Sequence, residues 1–308
     1  MTAQHYDDPH HLASAPVVVG VDGTTGSDIA LRWAAEYAKR HRRSLRLVHG
    51  LELVGTIRVL GTYAVVTPAL TDLVRENGRR TIAHAKKVVH EIDPNLRLSI
   101  SMSADTASAL LIEESETAYA TVLGATGDLG TLAHLGSTLL AVTAHGHGNV
   151  VVVRPDPAED NTIRDSGPVV VGIDGSPVSE SAIEVAFAEA AARECELVAI
   201  HTWVDRDFGA FAGSDTYLVP EAERAQCEWA ILGERLAGWQ EKYPDVTVIR
   251  RVYPSGPAAR LRVWSETSQL VVVGNRGRGG FRGLLLGSTA NSLVQHAHCP
   301  VMVVHPGV

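Results

Sequence analysis

The residues best suited to chemistry lie between Val271 and Thr289, in the stretch VVVGNRGRGGFRGLLLGST. Three valines run into Gly274, Gly277 follows after two residues, and Gly287-Ser288-Thr289 comes nine residues later. Glycines reach positive φ and let a ligand approach the main chain closely. A Gly-Ser-Thr that opens a helix turns orphan N–H groups and hydroxyls toward an anion. The pattern predicts a buried parallel strand, a phosphate-cradling loop and a helix N-terminus. Taken alone, the same residues also suit a strand and a helix joined by an ordinary glycine-rich loop.

The rest of the chain supplies an internal comparison. Val17-Val-Val-Gly-Val-Asp22-Gly23 returns as Val169-Val-Val-Gly-Ile-Asp174-Gly175. His49 and His201 are 201 − 49 = 152 apart, as are Pro68 and Pro220. Gly124 and Gly274 are 150 apart, and Gly136-Ser137-Thr138 lies 151 before Gly287-Ser288-Thr289. So many pairs in one register mean a duplication.

Each copy reads as five short apolar strands alternating with helices. Strands are expected at 17–20, 45–48, 96–102, the run into Gly124, and 150–153 of the first copy. Their counterparts fall at 169–173, 197–200, 246–253, the run into Gly274, and 301–304. Helices are expected at 27–40 and 179–193, from Pro68 and Pro220, at 107–119 and 257–267, and after Gly136 and Gly287. Asp28 and Glu180 sit in first turns, where acids suit the helix dipole. Alternation of this kind implies βαβ units, and right-handed crossovers put helices on both faces of a parallel sheet. The fold class is therefore α/β, two tandem domains of five parallel strands each. Ligands of such sheets bind beyond the carboxyl ends of the strands, where strand order reverses. Asp174-Gly175 and the Gly274 loop converge there in the second copy, and Asp22-Gly23 and the Gly124 loop in the first.

Composition limits the alternatives. Net charge is 27 − 35 = −8, against the basic surplus of a dedicated nucleic-acid binder. No apolar run approaches a membrane span, and the polar, His-rich start is not a signal peptide, so a cytoplasmic protein is expected. Cys195, Cys227 and Cys299 make no disulfide framework and read as reduced thiols, two of them in core segments. Residues 1–15 read as a frayed tail, 16–154 as the first domain, the Pro- and acid-rich 155–167 as a linker, and 168–308 as the second domain. GxxxxGK[ST], GxGxxG and GxSxG are all absent, which disfavours a Walker ATPase, a dehydrogenase and a serine hydrolase. His296, His298 and Cys299 lack a fourth ligand, so no metal is expected. His49 and His201 at strand ends suit packing or hydrogen bonding. Trp203, Trp229, Trp239 and Trp264 suit core or interface anchors.

On Gly274, Gly277, Gly287 and Ser288, and on the following Asn291 to Val304, the chain resembles the universal stress protein family in its tandem form. The resemblance covers both copies. It implies a Rossmann-like domain of the adenine nucleotide α-hydrolase type that binds ATP, with or without Mg2+. By position it places Asp174 on the ribose side and the backbone of Thr202 at the adenine, with Gly172 and Gly175 also among the binding residues. Gly274, Gly277, Gly287, Ser288 and Thr289 would surround the phosphates, and Arg276, Arg278 and Arg282 add positive charge. The corresponding first-copy residues are Gly20, Asp22, Gly50, Gly124, Gly127, Gly136, Ser137 and Thr138. There, only eight residues separate Gly127 from Gly136, Asp128 enters the loop, and the arginines are missing. A weaker or absent first site is expected. The family pairs its domains through the fifth strand, so pairing of the two copies and a homodimer are expected.

Three functions follow: an ATP-dependent regulatory or stress-response protein, a slow ATP hydrolase, or an interaction module with a vestigial pocket. The intact second loop favours the first. No base or metal-binding pair stands out in the sequence to activate water.

Overall fold

The computed structural model describes residues 14–53, 68–125, 136–156, 162–203, 221–254, 256–277 and 285–306. The chain divides into two compact units, with the boundary between Arg154 and Pro155. In the first unit the order is β1 (Val17–Gly20), α1 (Thr25–Arg40), β2 (Leu45–Gly50), α2 (Pro68–Ile92), β3 (Leu98–Ser103), α3 (Ala107–Ser115), β4 (Ala120–Gly124), α4 (Ser137–His145) and β5 (Asn149–Val153). The second runs β6 (Val169–Ile173), α5 (Pro177–Ala192), β7 (Leu197–Thr202), α6 (Glu221–Lys242), β8 (Val248–Tyr253), α7 (Pro257–Ser265), β9 (Leu270–Gly274), α8 (Ser288–His296) and β10 (Val301–Val304).

Within the first unit the strand order is β3-β2-β1-β4-β5, and within the second β8-β7-β6-β9-β10. The described pairings are parallel: Val17 faces Leu45 on one side and Ala120 on the other, and Val169 faces Leu197 and Leu270. Order reverses between β1 and β4 and between β6 and β9, so the loops after these strands open a crevice at one end of each sheet. The central strands are valine runs buried on both faces; Val17, Val18, Val19, Val169, Val170 and Val171 are each 0% exposed. Continuous burial explains why these strands lack the alternation of a half-solvated sheet. In each unit the first two helices pack together, as do the last two, covering the two sheet faces.

Helix ends follow local chemistry. α1 and α5 begin two residues before the sequence-based expectation, because Thr24 and Ser176 cap them. The Thr24 hydroxyl accepts from Ser27 N, and the Ser176 hydroxyl from Ser179 N, each at 3.2 Å. α3 and α7 end earlier than expected, at Ser115 and Ser265. Each hydroxyl donates back to the carbonyl three residues before it, Ile112 or Arg262, and accepts from the amide of His147 or His298.

The cysteines correct one expectation: only Cys299 is buried, while Cys195 is half-buried and Cys227 exposed on α6. Burial pushes the Cys299 thiol from 9.0 up to about 12. Trp229 is 44% exposed, Trp239 stacks on Phe187 with centroids 6.3 Å apart, and the half-buried Trp264 donates to Tyr253 Oη at 3.0 Å. The residues between the copies that are described fold onto the second unit. Asp156 is buried and pairs with Arg164 at 2.6 Å, and Gln269 donates to the Gly167 carbonyl at 2.7 Å.

Candidate functional site

In the second unit, β6 ends at Ile173 and delivers Asp174 to the crevice. Gly175 then turns with φ +74° into the Ser176 cap of α5. One carboxylate oxygen of Asp174 accepts from Ser176 N at 2.9 Å. Its other oxygen faces the backbone of Gly277, closely enough that a Cβ there would collide with it. The glycine is thus required by this approach, and the two loops singled out in the sequence do meet.

The loop after β9 is held by its main chain. Asn275 N donates to the Val304 carbonyl at the end of β10, and Gly287 N donates to the Asn275 carbonyl, both at 2.8 Å. That second bond ties the start of α8 to the residue after β9. Gly287 is the N-cap and has no side chain to cap with, so the first-turn N–H groups of α8 have no intrahelical acceptor. Ser288 beside them is exposed, and Arg276, also exposed, donates through Nε to the Leu285 carbonyl at 3.4 Å. This is an anion-directed helix terminus with a carboxylate standing one loop away. Thr202 closes β7 at the same end of the sheet. Gly172, by contrast, lies within β6, where a Cβ would come within 2.9 Å of Leu261 Cδ1, so packing of α7 already accounts for it. Arg278 and Arg282 lie outside the described residues.

Two neighbours escape a motif-based reading. Asn275 is buried (7% exposed), and its Oδ1 has no hydrogen-bond partner among the described residues. An unsatisfied buried acceptor costs about 1–3 kcal/mol and calls for a donor. Ala125 stands in its place in the first unit, one residue after the β4 glycine. The second is Val178, whose Cγ1 would lie 2.7 Å from a Cβ on Gly274. A valine in the first turn of a helix carries no sequence signal for such a role.

The first unit builds the same end of the sheet differently. Asp22 is exposed, and one of its oxygens accepts both Thr24 N at 2.9 Å and Thr24 Oγ1 at 2.7 Å. Gly124 is pressed against backbone, since a Cβ would run into the Gly26 carbonyl at the start of α1. Gly50, the counterpart of Thr202, would collide through a Cβ with the backbone of Ala107 at the start of α3. Gly20 mirrors Gly172, with Leu111 Cδ1 at 3.0 Å. Gly136 caps α4, with Ser137 and Thr138 in its first turn. Gly127 and Asp128 lie outside the described residues.

The two histidines supply hydrogen bonds, as expected for strand ends. His49 Nδ1 meets the Val21 carbonyl and His201 Nδ1 the Ile173 carbonyl, each at 2.7 Å. His296 ends α8, and His298 Nδ1 lies 3.7 Å from Asp156 Oδ1. Among the described residues no three His, Cys, Asp or Glu side chains cluster as a metal site. No described helix is long and apolar enough to cross a membrane.

Fold and site together define a tandem α/β protein whose second copy turns a helix N-terminus and an acidic strand end into one crevice. The chain belongs to the universal stress protein family: the sequence pattern of the Universal stress protein family matches residues 14–154 and again 166–305. A universal stress protein of Mycolicibacterium smegmatis is 40% identical over 297 residues, 94% of this chain and 97% of its own. One from Mycobacterium tuberculosis is 36% identical over 303 residues, 94% of this chain and 96% of its own. Among solved structures, a universal stress protein from Archaeoglobus fulgidus has the same fold, with TM-score 0.71 at 17% identity, covering 95% of this chain and 98% of its own.

Proposed function

We propose that the second domain binds ATP and that the protein acts as a nucleotide-dependent regulator in the stress response rather than as an efficient enzyme. The observation that carries this is the meeting of Gly277 with the Asp174 carboxylate beside the uncapped start of α8. It brings a hydroxyl acceptor and an anion-directed terminus to one crevice, the two chemistries a ribose phosphate requires. Asp174 would take the ribose hydroxyls and the Thr202 backbone the adenine. Gly274, Gly277, Gly287, Ser288 and Thr289 would take the phosphates, with Arg276 and Arg278 adding charge. Mg2+, when bound, would neutralise part of the triphosphate charge. Asn275 Oδ1 is an orphan acceptor in the same loop and suits a donor from the ligand or its bound water.

The first domain is the weaker site in this reading. Its α1 start is pressed onto Gly124, and its loop is one residue shorter. A repelling Asp128 in that loop would add to the effect. A cytoplasmic homodimer, with the two copies paired, is the assembly that goes with this reading, and sedimentation velocity counts the chains. Native mass spectrometry of the full chain tests ATP binding itself. Incubation with ATP is expected to add the mass of one nucleotide at low concentration and to leave Gly277→Asp unchanged. No uptake at millimolar ATP would remove the proposal.

A further inference from the structure

His201 sits at the end of β7 and is 5% exposed. Its Nδ1 donates to the Ile173 carbonyl at 2.7 Å, and its Nε2 lies 2.7 Å from Glu228 Oε2 on α6. Ile173 is the residue before Asp174. The imidazole is therefore a two-ended tie between helix α6 and the peptide that presents the Asp174 carboxylate. We infer that His201 and Glu228 are positioning residues of the second-domain site, setting the Asp174 loop against Gly277; this rests on reading that site as an ATP site.

The first domain lacks the far end of the tie. His49 makes the matching bond to the Val21 carbonyl, the residue before Asp22. Counted from the strands after the helices, 248 − 98 = 150, and 228 − 150 = 78. That register puts Gly78, and the 152-residue register of Pro68 and Pro220 puts Glu76, at the place of Glu228; of the two it is Gly78 that lies against His49. It packs on the ring itself: a Cβ there would lie 3.1 Å from His49 Cδ2 and 3.2 Å from His49 Nε2. The nearest glutamate in sequence, Glu76, turns instead to Arg79 and Arg80 at 3.6 and 3.4 Å, on a surface where such pairs contribute little.

The tie is specific to Glu228. The other charged groups facing one another across α5 and α6 are already matched, Arg235 with Glu180 at 2.7 Å and Lys242 with Glu184 at 3.2 Å. His201 is flanked in the sheet by Ile173 and Val252, both apolar. Protonated, the ring donates at both ends; neutral, it keeps the Nδ1 bond and needs a donor opposite Nε2. A glutamine at 228 supplies such a donor, whereas a leucine supplies none.

The experiment uses the full chain with Glu228→Leu and Glu228→Gln. Amide exchange is followed at Ser176, whose N–H reports the Asp174 contact, with Thr24 of the first domain as internal control. ATP affinity is measured by calorimetry on the same proteins. Glu228→Leu is expected to speed exchange at Ser176 and not at Thr24, and to weaken the tighter ATP event about tenfold, the scale of one charge-assisted hydrogen bond. Glu228→Gln is expected to restore both. Unchanged Ser176 exchange in Glu228→Leu, or equal damage in both variants, would overturn the inference. If the wild-type chain takes up no ATP, the ATP reading fails and the exchange arm still decides the tie.

Discussion

The two copies present the same strand ends with opposite packing. In the first domain, Gly26 and Gly124 bring α1 and β4 together backbone on backbone, and Gly50 does the same for α3. In the second, Val178 separates α5 from Gly274, Thr202 stands where Gly50 stood, and the closest glycine approach at this end of the sheet, among the described residues, is instead Gly277 to the Asp174 carboxylate. The first domain thus spends its glycines on packing its own helices. The second keeps one at the point where a loop must lie against an acidic side chain. One duplicated fold thus packs the same strand ends in two ways, with changes at a few positions such as Gly26 and Val178 or Gly50 and Thr202.

The largest expected effect follows from that closest approach. Gly277→Asp sets a second carboxylate against Asp174 and is expected to weaken ATP binding about a hundredfold or more, roughly 2.7 kcal/mol, by calorimetry. Packing is broken more strongly in the other copy. Gly124→Ala meets a carbonyl that moves only with the helix and is expected to cost about 2–3 kcal/mol in denaturant unfolding. Gly274→Ala meets a valine methyl and is expected to cost about 1 kcal/mol. Equal losses would erase the contrast between the copies.

Asn275→Ala gives the second loop the residue of the first. Removing a buried amide oxygen with no partner among the described residues is expected to stabilise the chain by about 1 kcal/mol in a thermal melt while lowering ATP affinity. A loss of stability would mean the oxygen is satisfied. The smallest effect concerns the thiols. At pH 8 in the native state a thiol reagent is expected to modify Cys227, exposed on α6, and to spare Cys299, whose pKa burial raises to about 12. The unfolded chain ionises Cys299 from about 9, so this residue costs the fold stability as pH rises from 9 toward 12. Rapid labelling of Cys299 in the native state would contradict its burial.

Much of this was legible in the sequence. Valine runs with no polar alternation mark strands buried on both faces, and their recurrence at 150–152 residues gives two like domains. The glycine spacing locates the loop after β9 and the cap of α8. What escaped is long-range and has no local code. Nothing near Glu228 indicates that it reaches His201 across 27 residues, or that Gly78 lies against His49 in the other copy. Gly172 and Gly20, which sit in the strand-end motif, are accounted for by leucines on α7 and α3. Cys227 falls in an apolar-looking stretch, yet lies on the solvent side of its helix.

Calorimetric titration of ATP into the full chain separates two unequal ATP sites from two equal ones. Unequal sites give a tight event with a stoichiometry near one per chain, abolished by Gly277→Asp, with at most a weak second event that survives the substitution. Two events of equal affinity, or a tight event that Gly277→Asp leaves intact, would contradict that inequality.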